Sequence, residues 1–307
     1  MANLFWKTEE NPFTTLIPHE FKTEEQLETY LYKNPQLLGD LIIISRQTKA
    51  GNYRDIPDLI AIDADNNVVI IELKKGAATE DVIAQVLRYA IWAETNPDSI
   101  KNLWLECPNK PDDKQIDWDS IQIKIMIVAE EIPSAVLRLV NRITYSVELF
   151  EISRFISGRN EFVLVNQRIP ENMAKTVVRP QGVYDEAYYR TNFNPASADL
   201  FLRTAEKVEK IIRTKGWNLE KKHNKNYIAF KLGFPQVLGV NWIGSKSFCI
   251  YFKMPRETAE SIEIEGLTPL RYEEEWNQIL YKIDDANYPI EKLMPLFEAA
   301  YKYVSGS

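Results

Sequence analysis

Three charged residues sit where charge is costly. Residues 59–62 and 68–73 are apolar at nearly every position, the pattern of strands covered on both faces. Yet Asp58 opens the first run, and Glu72 and Lys74 close the second. Side chains two apart share one face of a strand. If the two runs form a hairpin with its loop at 65–67, Ala64 faces Val68 and Asp58 faces Lys74. All three charged groups then converge at one end of one sheet face. Two carboxylates and an ammonium in a partly buried cluster suit a hard divalent cation, because Mg²⁺ takes few protein carboxylates and keeps its other positions for water and phosphate. Such a cation lowers the pKa of a water and neutralises charge building on a phosphoryl oxygen; Lys74 would orient or activate the attacking water. A plainer reading is a buried Asp58–Lys74 ion pair beside a solvated Glu72, and Glu-Leu-Lys is a common tripeptide. The hairpin alone leaves the two readings level.

Flanking elements shift that balance. Thr23 followed by Glu24, Glu25 and Gln26 is a capping-box helix start, and Leu27 and Leu31 follow at helical spacing until Asn34-Pro35 stops the helix. Glu24 shares the stripe of Leu27 and Leu31, so its carboxylate points to the side that packs on the sheet; complementing the helix dipole is its alternative use. Past the hairpin, residues 79–93 predict a helix with Thr79 as N-cap. Gln85 and Tyr89 lie four apart on one face of it, as a site element or as ordinary surface polarity. Strands are expected at 41–46, 58–63, 68–74, 102–106, 121–128 and 146–152, with a helix at 133–140, which makes an α/β domain.

These motifs resemble the PD-(D/E)XK nuclease superfamily. Ile56-Pro57-Asp58 followed by Glu72-Leu73-Lys74 at the end of the next strand looks like its core. The Thr23-to-Leu27 segment with Leu31 and Asn34-Pro35 is similar to the helix supplying the first acidic residue in the NucS-like and RecB-like branches. Gln85-Val86-Leu87-Arg88-Tyr89 matches their QxxxY element. The resemblance covers about residues 20–155. It implies a restriction-endonuclease-like mixed sheet flanked by helices and a metal-dependent endonuclease acting on DNA phosphodiesters, in repair or in defence against foreign DNA. It further implies that Glu24, Asp58 and Glu72 ligate Mg²⁺ (or Mn²⁺), that Lys74 is the catalytic lysine, and that Gln85 and Tyr89 support it. Arg54 falls where such nucleases often carry a basic residue facing the substrate, or is an ordinary exposed loop arginine. NucS-like enzymes usually carry a further domain before the core, with roles in dimerisation and DNA grip. About twenty residues stand there in this chain, so a homodimer and a substrate preference do not carry over by resemblance, although a homodimer stays among the expected partners with DNA.

Composition bounds the rest. With 307 residues, 45% apolar and 26% charged, the chain suits a soluble protein with two cores. Residues 1–165 are expected to form the nuclease-like domain. Residues 166–195, with Pro170, Pro180 and Gly182, suit a linker, and 196–307 form a smaller α+β domain. Cys107 and Cys249 lack metal-ligand spacing, and no export signal opens the chain, so a reducing, cytoplasmic setting is expected. No apolar run approaches the roughly 18 residues of a helical membrane span, which excludes insertion of that kind. The net charge of −7 argues weakly against nucleic acid, but its distribution matters more. Residues 196–254 hold 11 Lys and Arg against 4 Asp and Glu, whereas 255–307 hold 5 against 11.

In the second domain a helix is expected at 198–213, strands at 217–222, 227–232, 237–242 and 248–253, and helices at 272–281 and 289–304. The strand Lys225-Asn226-Tyr227-Ile228-Ala229-Phe230 is weakly similar to a small domain found at the C-terminal end of some predicted nucleases. Lys221, Lys222, Lys225 and Lys231 bracket Trp217, Tyr227 and Phe230, pairing phosphate-binding charge with stacking surfaces. A hairpin with solvated lysines around core aromatics is the slightly favoured alternative, and His223 reads as a surface residue. Against the enzyme stand a non-catalytic nucleic-acid or protein-binding module on the same fold and a structural adaptor acting through the acidic tail, for which no positive feature stands out; intact Asp58, Glu72 and Lys74 favour the enzyme.

Overall fold

The apolar run 68–73 becomes the interior of a seven-stranded mixed sheet. The computed structural model describes residues 4–7, 13–46, 57–111, 116–118, 121–169, 184–283 and 288–306, and the chain divides into two units, Met1–Arg179 and Pro180–Ser307. In order, the first unit contains β1 (Phe5–Trp6), β2 (Thr14–Thr15), β3 (Ile17–Pro18), α1 (Glu24–Lys33), β4 (Leu41–Arg46), β5 (Leu59–Asp63), β6 (Val68–Ala77), α2 (Asp81–Thr95) and α3 (Pro97–Glu106). It continues with β7 (Ile123–Glu131), α4 (Ser134–Val140), β8 (Ser146–Ser157) and β9 (Asn160–Gln167). The sheet order is β3-β8-β7-β6-β5-β4, with β9 also paired to β8. β6, β7 and β8 run parallel, and the outer pairings are antiparallel. This is an α/β architecture in which α2 and α3 cross from β6 to β7, as a parallel connection requires. Every residue from Val68 to Leu73 is buried, Glu72 among them, while the strand runs on to Ala77 with half-buried and exposed residues.

Local chemistry explains most boundaries. Thr23 Oγ1 accepts the Gln26 N–H at 3.1 Å, and Gln26 Oε1 accepts the Lys22 N–H at 2.6 Å, a reciprocal cap that starts α1. Leu27 and Leu31 are fully buried beneath it. Three expectations need correction in this unit. Residues 102–106 are not a strand but the end of α3: Pro97 stands in its first turn, and the buried side chains are Ile100 and Trp104, four apart, while Leu105 is exposed. Helix α2 begins at Asp81 after Glu80, not after a Thr79 cap. The β5–β6 hairpin pairs Ile62 with Val68 and Leu59 with Ile71, two residues away from the expected register. The loop is longer because Asp63 ties it: its carboxylate accepts the Asn67 N–H at 2.8 Å and the Asn67 amide at 2.9 Å, and Asn66 takes a left-handed φ of 67°. A slip of two keeps every side chain on its face. Continued by one residue, the ladder sets Asp58 across from Glu72 rather than Lys74.

The second unit contains α5 (Glu186–Asn192), α6 (Pro195–Thr214), β10 (Glu220–His223), β11 (Tyr227–Lys231), β12 (Gln236–Ile243), β13 (Ser247–Lys253), α7 (Arg256–Glu260), β14 (Arg271–Glu273), β15 (Gln278–Lys282) and α8 (Met294–Ser305). Its six antiparallel strands follow the order β10-β11-β12-β13-β15-β14, an α+β arrangement. Phe201, Val208, Ile228, Phe230, Val240, Ile250, Phe252 and Phe297 are buried in one core. Within the stretch 166–195 the described residues belong largely to regular elements. β9 runs to Gln167, and α5 places fully buried Tyr189 in the second core, its hydroxyl donating to the Asn224 carbonyl at 2.6 Å. Residues 272–281 are two strands and a 3-10 turn instead of a helix. Tyr272, Trp276 and Ile279 imitate helical spacing, but Asn277 adopts a left-handed φ of 46° and turns β15 back along β14.

Candidate active site

In the middle of β6 the Glu72 side chain is 1% exposed and accepts a 2.6 Å hydrogen bond from Lys74 Nζ through Oε1. Its other oxygen, Oε2, is buried without a hydrogen-bond partner. Asp58, the residue before β5, accepts the Leu73 N–H at 2.8 Å through Oδ2. That bond fixes Asp58 against the very strand that carries Glu72 and Lys74. Helix α1 lies on β6 and brings Glu24 to 3.8 Å from Lys74 Nζ.

Glu28, one turn after Glu24, is a residue that the sequence reading missed. It is buried and accepts a 2.5 Å bond from Arg46 Nε, while Arg46 Nη2 donates to Thr29 Oγ1. Its charge reaches Asp58. The signal was present, since Glu24, Leu27, Glu28 and Leu31 share one helical stripe. On α2, Gln85 Nε2 donates to the Tyr89 hydroxyl at 3.0 Å; Gln85 is half-buried and Tyr89 buried. The two therefore act as a bonded pair.

Burial governs the electrostatics. Desolvation, strengthened by Asp58 and opposed by Lys74, pushes Glu72 up to about 7. Desolvation likewise carries Asp58 to about 6, against the Leu73 N–H and the Lys74 charge. Burial by itself would draw Lys74 down, but the hydrogen bond to Glu72 and the neighbouring carboxylates outweigh it and hold the ammonium above the ordinary lysine range. Lys74 is thus the cation that this cluster keeps between Glu72 and Glu24. As the side chains stand, no three His, Cys, Asp or Glu among the described residues are gathered at metal-binding spacing. The donor set nevertheless fits a hard divalent ion in kind: carboxylate oxygens, one of them buried and unmatched.

Other predicted residues lie elsewhere. Arg54 is outside the described residues. In the second unit Lys221 is salt-bridged to Glu209 at 3.1 Å, Lys222 is exposed on β10, and Lys225 is half-buried in the turn before β11. The aromatics around them are interior: Phe230 is 1% exposed, Tyr227 is buried, and Trp217 stacks on Tyr301 at 4.5 Å. His223 packs against Tyr189, and burial lowers its pKa.

No protein-family model matches the chain, nor does any curated protein. Among solved structures it is similar to a repair endonuclease from Pyrococcus abyssi, with 19% identity over 43% of this chain and 49% of that one and a TM-score of 0.28. It is also similar to EndoMS in complex with double-stranded DNA, with 18% identity over 42% of this chain and 44% of that one and a TM-score of 0.30. EndoMS in its apo form matches at 16% identity over 43% and 48%, with a TM-score of 0.28. The chain spans less than half the length of each. Among the described residues no helix is long and apolar enough to cross a membrane.

Proposed function

We propose that the chain is a divalent-metal-dependent endonuclease that hydrolyses DNA phosphodiester bonds, in repair or in defence against foreign DNA. The observation that carries this reading is Glu72: a carboxylate 1% exposed, with one oxygen unmatched, beside Asp58 and Lys74 within a doubly covered strand. Burying an unsatisfied carboxylate oxygen costs free energy unless a cation or a donor meets it. Glu72, Asp58 and Glu24 would hold Mg²⁺ or Mn²⁺, which when bound supplies charge for a phosphoryl oxygen and a water of lowered pKa. Lys74, bonded to Glu72 at 2.6 Å, is placed to orient or activate the attacking water. The Gln85–Tyr89 pair braces the α2 side of the sheet. Arg54, Lys222 and Lys225 are suited to phosphate contacts.

The test is cleavage of single-stranded, duplex, branched and mismatched DNA by purified protein with Mg²⁺, with Mn²⁺ and with chelator. Cleavage that needs the cation is expected on at least one form. Binding without cutting across the whole panel replaces the enzyme with a nucleic-acid-binding module.

A further inference from the structure

Glu130 lies near the end of β7, outside every motif discussed so far, and joins the two chain segments that deliver Glu24 and Lys74. Its Oε1 accepts the Phe21 N–H at 3.2 Å and its Oε2 accepts the Gly76 N–H at 2.7 Å. Phe21 is three residues before Glu24 and is itself anchored, 1% exposed, with the Arg154 guanidinium 4.6 Å from its ring centre. Gly76 is two residues after Lys74. It sits in a bulge: Lys74 pairs with Ala129 and Ala77 with Glu131, so Lys75 and Gly76 together oppose Glu130. A bulge re-aims the side chains beside it and takes an N–H out of the ladder, and the Gly76 φ of 77° is one that only glycine adopts without strain.

We infer that Glu130 is a positioning residue: its two oxygens clamp the entry to α1 against the bulge of β6 and thereby set Glu24 beside Lys74. Each oxygen satisfies an amide that regular structure leaves over, so the clamp has no redundant half. Its catalytic consequence rests on the nuclease reading, but its geometric one does not.

Glutamine keeps the shape of Glu130 but has one acceptor oxygen, and alanine has none. Hydrogen exchange should therefore quicken by about tenfold or more at both the Phe21 and Gly76 amides in Glu130→Ala, and at one of them in Glu130→Gln. In the full-length protein kcat for metal-dependent cleavage should fall about tenfold in Glu130→Ala, less in Glu130→Gln, with KM for DNA unchanged. Unchanged protection of both amides in Glu130→Ala overturns the clamp. Quickened exchange with unchanged kcat, or a KM that rises in its place, overturns the positioning role. Should Glu130→Ala fail to fold, Glu130→Gln carries the same tests. If the wild type cuts no DNA, the nuclease reading fails by itself, and crystal structures of the variants decide. A Glu24–Lys74 separation beyond the present 3.8 Å supports the clamp, and an unchanged one overturns it.

Discussion

The middle of β6 and the β10–β11 hairpin both join charged residues to apolar strands, but they resolve the conflict in opposite ways. On β10 and β11 Phe230 fills the core, and Lys221, opposite it on the same face, ends half-buried in a salt bridge with Glu209 on α6. Burial would raise the Glu209 pKa, but Lys221 and Arg213 more than reverse that and lower it. Around Glu72 the carboxylates go inward with the apolar residues, and their pKa values rise in spite of Lys74. Paired surface charge costs little, whereas buried carboxylates with an unmatched oxygen oppose folding. A chain keeps the second arrangement where something besides stability depends on it, which is the physical reason to look for chemistry at Glu72 and not at Lys221.

The contrast breaks most visibly if Phe230 is not core. Phe230→Ala should cost roughly 3–5 kcal/mol in urea unfolding and leave DNA affinity per folded molecule unchanged. Weaker DNA binding with full stability would make Phe230 a stacking surface instead. On the other side, Glu72→Ala should slow metal-dependent cleavage about a hundredfold or more. DNA affinity should be retained or rise slightly, because binding draws on spread Lys and Arg contacts. Single-turnover rates and anisotropy titrations separate the two effects, and an equal loss of both would remove Glu72 from the chemistry.

The raised carboxylates also give the comparison a pH signature. A carboxyl whose folded pKa lies above its unfolded value contributes no penalty below the unfolded pKa, near 4, and destabilises progressively as pH rises through the folded value. For Glu72 and Asp58 that window runs from about 4 up to the folded values of about 7 and about 6. Without divalent cations, the stability difference between Glu72→Gln and wild type should move in favour of the variant between pH 4 and pH 8. The expected change is on the order of 1–3 kcal/mol. A difference that stays constant across that range would mean that Glu72 is solvated in the folded protein.

Much of this is legible in the amino-acid sequence. Strand β4, the cap at Thr23 and the shared face of Asp58, Glu72 and Lys74 follow from side-chain pattern and parity alone. The hairpin register was not legible, because it depends on how the Asp63 carboxylate holds Asn67. Yet the error of two left the face assignment intact. Strands β14 and β15 were hidden by aromatics at helical spacing, and α3 by a short apolar run whose burial pattern appears only on packing. Glu130 could not be found at all from local sequence, since its partners Phe21 and Gly76 lie 109 and 54 residues away.

The smallest expected effects distinguish neighbours on β10. Lys221 and Lys222 are adjacent, so a strand sends them to opposite faces. Lys221 pairs with Phe230 across the ladder and bonds Glu209, whereas Lys222 pairs with Ala229 and is exposed. Lys221→Ala should therefore cost under about 1 kcal/mol of stability and leave DNA affinity alone, its charge being already committed. Lys222→Ala should leave stability unchanged. If this hairpin meets a phosphate, the variant should weaken binding modestly and reduce the slope of log affinity against log salt by about one. Salt titrations of both variants give the answer: equal slopes for wild type and Lys222→Ala would take β10 out of the DNA contact, and a changed slope for Lys221→Ala alone would reverse the assignment of faces.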